Sequence, residues 1–476
     1  VHLVINLIFK ISIYNKFRNR CNATISTFKK KYFMIRIIVL AALLTVSSMT
    51  GLFAQTFNKL KADSLMDAIA INNKAMFSVS IEHDGTPVYS RAIGDRSIEG
   101  ANKTAATTST RYRIGSITKV FTGVMTFQLI EEGKIKLSTP ISDFFPGLLN
   151  GNKITIENLL NHSSGLHNFT NDSSYLSILD KKVTKADMLV KFKAMSQDFE
   201  PGTKHEYSNT NFVLLGYIIE AIDKDTYANS LKKRITSKIG LVNTYYGGKI
   251  SEAGKEAFSY SWKNGWQIET ETDMSIPAGA GALVSTPADL NKFISELFAG
   301  KLISATSLNQ MKTIKDGYGM ALFAVPFYNK SGFSHNGSID GFQSQVIYFP
   351  EDKLAISYTA NGVNTVMNSI VIGLLSIYYN RPYSIPSFKS INIPSEALDK
   401  FLGVYSNDQV PVKITVTKKD GALYAQATGQ PSFPLEAISA TDFKFEQAGI
   451  VVAFDAAKKQ LTMKQGGGAY VFKKDL

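Results

Sequence analysis

The chain has 476 residues, 44% of them hydrophobic and 19% charged, the balance of a globular protein long enough for more than one core. Its formal charge of +13 points to a polyanionic partner only until the charges are placed: residues 1–54 hold eight Lys or Arg and no Asp or Glu, leaving +5 for the rest. That residue is too mild to indicate nucleic acid, and the sole cysteine, Cys21, gives no basis for a disulfide framework, a thiol nucleophile or a zinc–thiolate site.

In chain order, the basic run Lys29–Lys31 and Arg36 precede the uncharged stretch "IIVLAALLTVSSMTGLFA" (37–54). This is the anatomy of a secretory signal, with cleavage expected after Ala54 and Met34 as the expected start, which places residues 1–33 upstream of it. About 18 apolar residues also suffice to cross a bilayer, so an uncleaved N-terminal anchor is the rival reading. No Cys follows the apolar stretch, which argues against a lipid-modified N-terminus.

Next, "FNKLKADSLMDAIAIN" has helical spacing at Leu60, Leu65, Ile69 and Ile71, and "MFSVSIEHDGTPVYSRAIG" reads as two strands about an Asp84-Gly85 turn. A helix is expected from Ser116 through Phe121, Val124, Met125, Leu129 and Ile130, ending at Gly133. Helices at 156–161, 211–222 and 287–299 follow, then β segments near 332–349 and 353–360 and a closing helix over 366–380. Pro382, Pro386 and Pro394 mark a linker. Beyond a short helix at 395–402, alternating segments such as "VKITVTKKDGALYAQATG" predict a small all-β unit. The expected organisation is a leader over 1–54, an α+β domain over 55–381, a linker over 382–394 and a β-rich domain over 395–476.

The candidate chemistry begins at "RIGSITKVF" (113–121). Residues three apart on a helix share a face, so Ser116 and Lys119 can bring hydroxyl and amine together. Ser-x-x-Lys also occurs at Ser26–Lys29 and Ser230–Lys233, and its bland reading is a capping serine beside an exposed lysine. Two further patterns bear on the choice: Tyr207-x-Asn209 in "EYSN", recurring at Tyr227–Asn229 and Tyr378–Asn380, and His335-x-Gly337 in "SHNGS", recurring at His83–Gly85. Only Ser116, Tyr207 and His335 follow the order nucleophile helix, loop, strand. "TYANSLKKRI" reads instead as one helix with surface or packing residues. His162 and His167 have the wrong spacing for one helical face, and neither His-Glu-x-x-His nor Gly-x-Ser-x-Gly occurs, so no metal site, cofactor or hydrolase elbow is expected. His205 is placed equally well in a cleft wall or an exposed loop.

With these elements in order, the chain resembles the serine β-lactamase and penicillin-binding-protein superfamily, in particular the class C β-lactamase-like branch with its D,D-peptidases, D-aminopeptidases and esterases. The likeness covers about residues 57–380 and rests on "RIGSITK", "ITIENLLNHSSGL" (154–166), "PGTKHEYSNTNFVLLGYIIE" (201–220), "GAGALVSTPADLNKF" (279–293), "GYGM" (317–320) and "SHNGSIDGF" (334–342). It implies an antiparallel sheet flanked by helices plus a helical subdomain; the β tail resembles small barrel-like domains appended to such enzymes. "ENLLN" at 157–161 imitates the element carrying the water-activating glutamate of class A enzymes. It precedes the Tyr-x-Asn element, so Glu157 is read as a first-turn helix carboxylate.

The resemblance assigns Ser116 as nucleophile, Lys119 and Tyr207 as its proton-handling partners, and Asn209 as the residue holding Lys119 and the substrate amide. The oxyanion hole would come from the N–H groups of Ser116 and Ser338 after Gly337. Which of Lys119 and Tyr207 takes the first proton stays open. His335 stands where β-lactamases usually carry Lys, and a mostly neutral imidazole is a poorer carboxylate anchor. The expectation is therefore an exported, periplasmic or secreted serine hydrolase. It would cleave a D-amino-acid peptide, amide or ester through a Ser116 acyl-enzyme, with cleft walls from 167–200 and 243–275. The alternatives are a penicillin-recognising sensor that acylates without turnover, a β-lactamase, or a relic scaffold whose β tail is the interacting part. The expected partner is a small-molecule or peptide substrate, with no nucleic acid and no stable membrane partner after signal cleavage; the sequence leaves the oligomeric state open.

Overall fold

The computed structural model describes residues 57–388, 391–408, 411–445, 448–465 and 468–475. The expected leader over 1–54, with Cys21 and the Ser26–Lys29 pair, lies outside them. Among the described residues no helix is long and apolar enough to cross a membrane.

Helix α1 (Lys59–Ile71) is capped by Asn58, whose side chain accepts the Lys61 N–H. Its buried stripe is Ala62, Leu65, Met66 and Ile69, while Leu60 and Ile71 are 81% and 79% exposed. Of the expected apolar positions, Leu65 and Ile69 are buried and Leu60 and Ile71 are not. At 100° per residue, Leu60 and Ile71 stand opposite the i, i+3, i+4, i+7 stripe that starts at Ala62.

The hairpin β1 (Ala75–His83) and β2 (Thr86–Ile93) forms as expected. Asp84 and Gly85 both take positive φ (49° and 74°), the two-residue turn that matches strand twist. With β3 (Tyr260–Trp262), β4 (Trp266–Ile268), β5 (Phe323–Phe327), β6 (Lys330–Ile339), β7 (Phe342–Phe349) and β8 (Leu354–Val363), it builds an eight-stranded sheet. The main path runs β5-β6-β7-β8-β1-β2, antiparallel throughout, with β3 meeting β8 at Gly362↔Tyr260. Eight successive residues of β1 are buried, which requires cover on both faces.

That cover includes α1 and helix α4 (Pro287–Phe298), begun by a Thr286 cap and Pro at its first position. Helix α5 (Met367–Tyr378) packs against α1.

The helical region centres on α2 (Thr118–Glu131) and α3 (Asn209–Asp223). The expected single apolar face on α2 understates the case: every residue from Thr118 to Leu129 is buried, so α2 runs through the core rather than over it. Its end follows the capping expectation, with Gly133 at φ 70° and its N–H donated to Ile130 O. The helix expected over "TYANSLKKRI" is α-helical only over Tyr227–Leu231 and continues as a π turn, Lys232–Thr236. Arg234 in that turn pairs with Asp223 at the end of α3 and with Glu132 at the end of α2.

After a 3-10 turn, Ser395–Phe401, strands β9 (Gly403–Ser406), β10 (Ile414–Lys419), β11 (Ala422–Ala427), β12 (Phe433–Ala437), β13 (Asp442–Phe445), β14 (Ile450–Asp455), β15 (Gln460–Gln465) and β16 (Gly468–Lys474) close into a barrel. Inward residues alternate along β10, as with Ile414 and Val416. Phe401 and Phe454 stack inside at 4.5 Å between centroids, so side chains fill the barrel. The whole is an α+β fold followed by a small all-β barrel.

Candidate active site

Ser116 lies two residues ahead of the α-helix it is expected to start. The segment Gly115–Ile117 is a 3-10 turn and the α-helix begins at Thr118. The i, i+3 spacing still works: Lys119 Nζ is 3.0 Å from Ser116 Oγ. Lys119 is fully buried, and its Nζ also donates to Asn209 Oδ1 and to the Ala280 carbonyl, both at 2.8 Å. Two of these three neighbours can only accept, and the third, a hydroxyl, can accept or donate. A neutral amine satisfies all three by giving two N–H groups to the carbonyls and taking the serine proton on its lone pair. Burial pushes the Lys119 pKa well below its ordinary value. Among the described residues no carboxylate forms an ion pair with it, so the desolvation of the charged form is unopposed by a countercharge.

Tyr207 donates its hydroxyl to Ser116 Oγ at 2.8 Å. Burial raises its pKa, so at neutral pH it is a phenol and a proton donor. The ring stacks on His162, 4.6 Å between centroids, and His162 Nδ1 accepts the neighbouring Ser208 N–H at 3.1 Å. His162 is itself 1% exposed; it fixes Tyr207 from behind, a role the sequence signalled only through "LLNHSSGL".

Asn209 is the first residue of α3. Its Nδ2 donates to Asn168 Oδ1 and Thr170 Oγ1, each at 3.2 Å, so the amide is oriented with its oxygen on Lys119. Asn168 and Thr170 escaped the sequence reading, having no motif of their own.

Strand β6 reaches this cluster at Gly337 and Ser338. A methyl on Gly337 would overlap the Ile114 carbonyl and the Ser344 hydroxyl, and one on Gly115 (φ 48°) would lie 2.8 Å from Ser338 N. Both glycines are needed because two backbones touch here. The contact sets Ser338 beside the turn that carries Ser116. His335, on the same strand, is 3% exposed. Its Nδ1–H donates to Asn336 O at 2.6 Å, leaving Nε2 as a buried acceptor without a partner among the described residues. Burial, helped by a charged Lys119 when present, moves its pKa down to about 3. Tyr207 gives its hydroxyl to Ser116 rather than to His335.

Ser116, Asn209 and Ser338 form a ridge between two lobes of one cleft. The first, about 720 Å³, is walled by Phe169, Tyr175, Leu176, Glu269 and Pro277; the second, about 750 Å³, by Tyr207, Phe323, His335, Asn336 and Gln343. The walls expected from 167–200 and 243–275 thus belong to the first lobe. His205 lines neither; it pairs with Asp316 at 3.0 Å and stacks on Tyr318. His167 is held by Asp198, which raises its pKa. Arg113, unassigned in "RIGSITK", is 2% exposed and binds Glu271, Asp340 and the Thr272 carbonyl. It ties the turn after β6 to the wall of the first lobe. Glu157 stands in the first turn of Ile156–Leu160, as read.

A serine hydroxyl between a buried lysine and a tyrosine, at the edge of an antiparallel sheet, defines a serine hydrolase of the β-lactamase-related group. The family model for beta-lactamase matches residues 72–371, and the chain belongs to that family. It is 26% identical over 440 residues to a penicillin-binding protein of Bacillus subtilis strain 168, covering 85% of this chain and 96% of that one. It is also 26% identical over 314 residues to the teichoic acid D-alanine hydrolase of Staphylococcus aureus, covering 64% and 76%. Among solved structures, a D-amino acid amidase from Ochrobactrum anthropi SV3, complexed with L-phenylalanine amide, superposes with a TM-score of 0.61 at 26% identity, covering 68% of this chain and 98% of the other.

Proposed function

We propose that the protein is an exported hydrolase of amides or esters of D-amino acids, acting through an acyl-enzyme on Ser116. The observation that carries this reading is the meeting of Lys119 Nζ and Tyr207 OH on one serine oxygen, at 3.0 and 2.8 Å. In the first half-reaction Ser116 Oγ attacks the carbonyl carbon and its proton goes to neutral Lys119. Tyr207 gives its proton to the departing nitrogen or oxygen as that bond breaks, and the proton on Lys119 restores it. In the second half, water attacks the ester. Its proton passes through the same pair to Ser116 Oγ, releasing the acid. Ser116 N–H and Ser338 N–H are assigned to the developing oxyanion, a donor pair worth about 3–4 kcal/mol each. The D configuration is supported by the D-alanine hydrolase and D-amino acid amidase relatives.

The test is intact-protein mass spectrometry of residues 55–476 after a fluorophosphonate and, separately, a penicillin, followed over time for wild type, Ser116→Ala and Lys119→Met. Wild type should gain one adduct, Ser116→Ala none, and Lys119→Met should label at least about 100-fold more slowly, as expected for loss of a general base. A wild type that stays folded and unlabelled by both reagents would remove the acyl-enzyme reading. A persistent penicillin adduct with no turnover of D-amino acid amides would replace it with a penicillin sensor.

A further inference from the structure

The two lobes of the cleft differ in chemistry, and Tyr207 orients them. It lines only the second lobe. If Tyr207 protonates the leaving atom, as argued above, the leaving group lies in the second lobe and the acyl group in the first. Among the described residues, no Lys or Arg lines either lobe. Lys119 and Arg113 are buried behind the walls, and Arg113 is already bound by two carboxylates, leaving that trio formally anionic.

The first lobe has an apolar wall of Phe169, Tyr175, Leu176, Leu179 and Pro277, and set in it is one carboxylate, Glu269, half-buried and without a hydrogen-bond or ion-pair partner among the described residues. Asp340, the other acid lining this lobe, is held by Arg113 and Thr272. In the second lobe the buried polar atoms without a hydrogen-bond partner among the described residues are His335 Nε2, an acceptor on a residue 3% exposed, and the Ser334 hydroxyl. Among the described residues, neither lobe offers a cation to a carboxylate.

We propose that Glu269 binds a free ammonium group on the acyl part of the substrate, so that the preferred substrates are aminoacyl amides and esters with an apolar side chain and an uncharged leaving group. This rests on the acyl-enzyme reading above and narrows its substrate class. An ammonium beside an apolar wall matches an unacylated amino acid residue, whereas an N-acylated one would bury Glu269 against an amide with no charge to offset it.

The test compares kcat/KM for D-phenylalanine p-nitroanilide and its N-acetyl derivative in the full mature chain, for wild type, Glu269→Gln and Glu269→Lys. The free amine should be preferred at least about tenfold, the low end for a hydrogen bond to a charged group. Glu269→Gln should move the ratio toward one by a similar factor, mainly through KM, and Glu269→Lys should favour the N-acetyl or an N-succinyl substrate. Ser116 labelling by a fluorophosphonate reports that each variant is folded. A ratio unchanged by either variant overturns the role of Glu269 while leaving the acyl-enzyme intact. Wild type that neither labels at Ser116 nor turns over either anilide overturns both.

Discussion

At the residue scale, Lys119 and His335 show burial deciding ionisation. Both are enclosed, and both have moved away from the charged form. For Lys119 the shift favours the neutral amine, the form that can take a proton; for His335 it leaves a neutral ring with an acceptor nitrogen. The His335 shift has a consequence for stability. Its pKa falls from 6.5 unfolded to about 3 folded, so between those values the unfolded chain binds a proton that the folded chain does not. The stabilisation is complete above pH 6.5 and is lost as pH falls toward 3, at up to about 1.4 kcal/mol per pH unit. His162, whose pKa burial also lowers, works in the same direction. His335→Asn should therefore give a shallower fall of unfolding free energy between pH 6.5 and 4 than wild type, by up to one proton's worth. Urea titrations across that range measure it, and parallel curves would refute it.

Elements position what the residues do. The turn at 115–117 is pinned from three sides: by α2 below, by β6 across Gly115 and Gly337, and through Thr118 Oγ1, which accepts the Leu283 N–H at 3.1 Å. Strand β6 is itself held in register by β5 and β7, with Gly337 opposite Ser344. Gly337→Ala inserts a methyl where the Ile114 carbonyl sits. Overpacking of this kind costs about 1–3 kcal/mol, and here the relief available is to push Ser338 away from Ser116. The expected outcome is a lowered denaturation midpoint together with a loss of Ser116 labelling rate larger than the stability loss explains. A variant that is destabilised but labels normally would show that the contact is only structural. Asn209 depends in the same way on Asn168 and Thr170, the cap and the middle residue of the 3-10 turn Phe169–Asn171, which fix its amide.

On the scale of the whole molecule, the cleft and the barrel have separate cores. The cleft is lined by residues between Gly115 and Tyr358, and the barrel core runs from Leu398 to Phe472. Between them, Tyr383 packs on Gly373 of α5, and Phe388 lies under both Lys74 and Lys444 at 5.2 Å. A chain ending after residue 388 should keep Ser116 labelling and kcat/KM within a few-fold of the full chain. Loss of labelling in a truncation that remains folded would assign the barrel a part in the reaction.

What local spacing could specify was legible. Ser116 and Lys119 are one helical turn apart, the Asp84-Gly85 turn follows from positive φ, the α2 terminus follows from Gly133, and the barrel strands follow from period-two alternation. Motif order supplied Tyr207, Asn209 and His335 as candidates, although 91 residues separate Tyr207 from Ser116. The supporting parts were not legible. His162 acts through a ring stack, Asn168 and Thr170 through hydrogen bonds across 39–41 residues, Arg113 through an ion pair to Asp340, and Glu269 through a carboxylate that has no partner among the described residues. Each is defined by contacts between distant segments, and by how much water those contacts exclude. Periodicity records which face of an element is buried; only the packed chain decides which polar atoms meet there, and so which of them are left neutral, charged or unpaired.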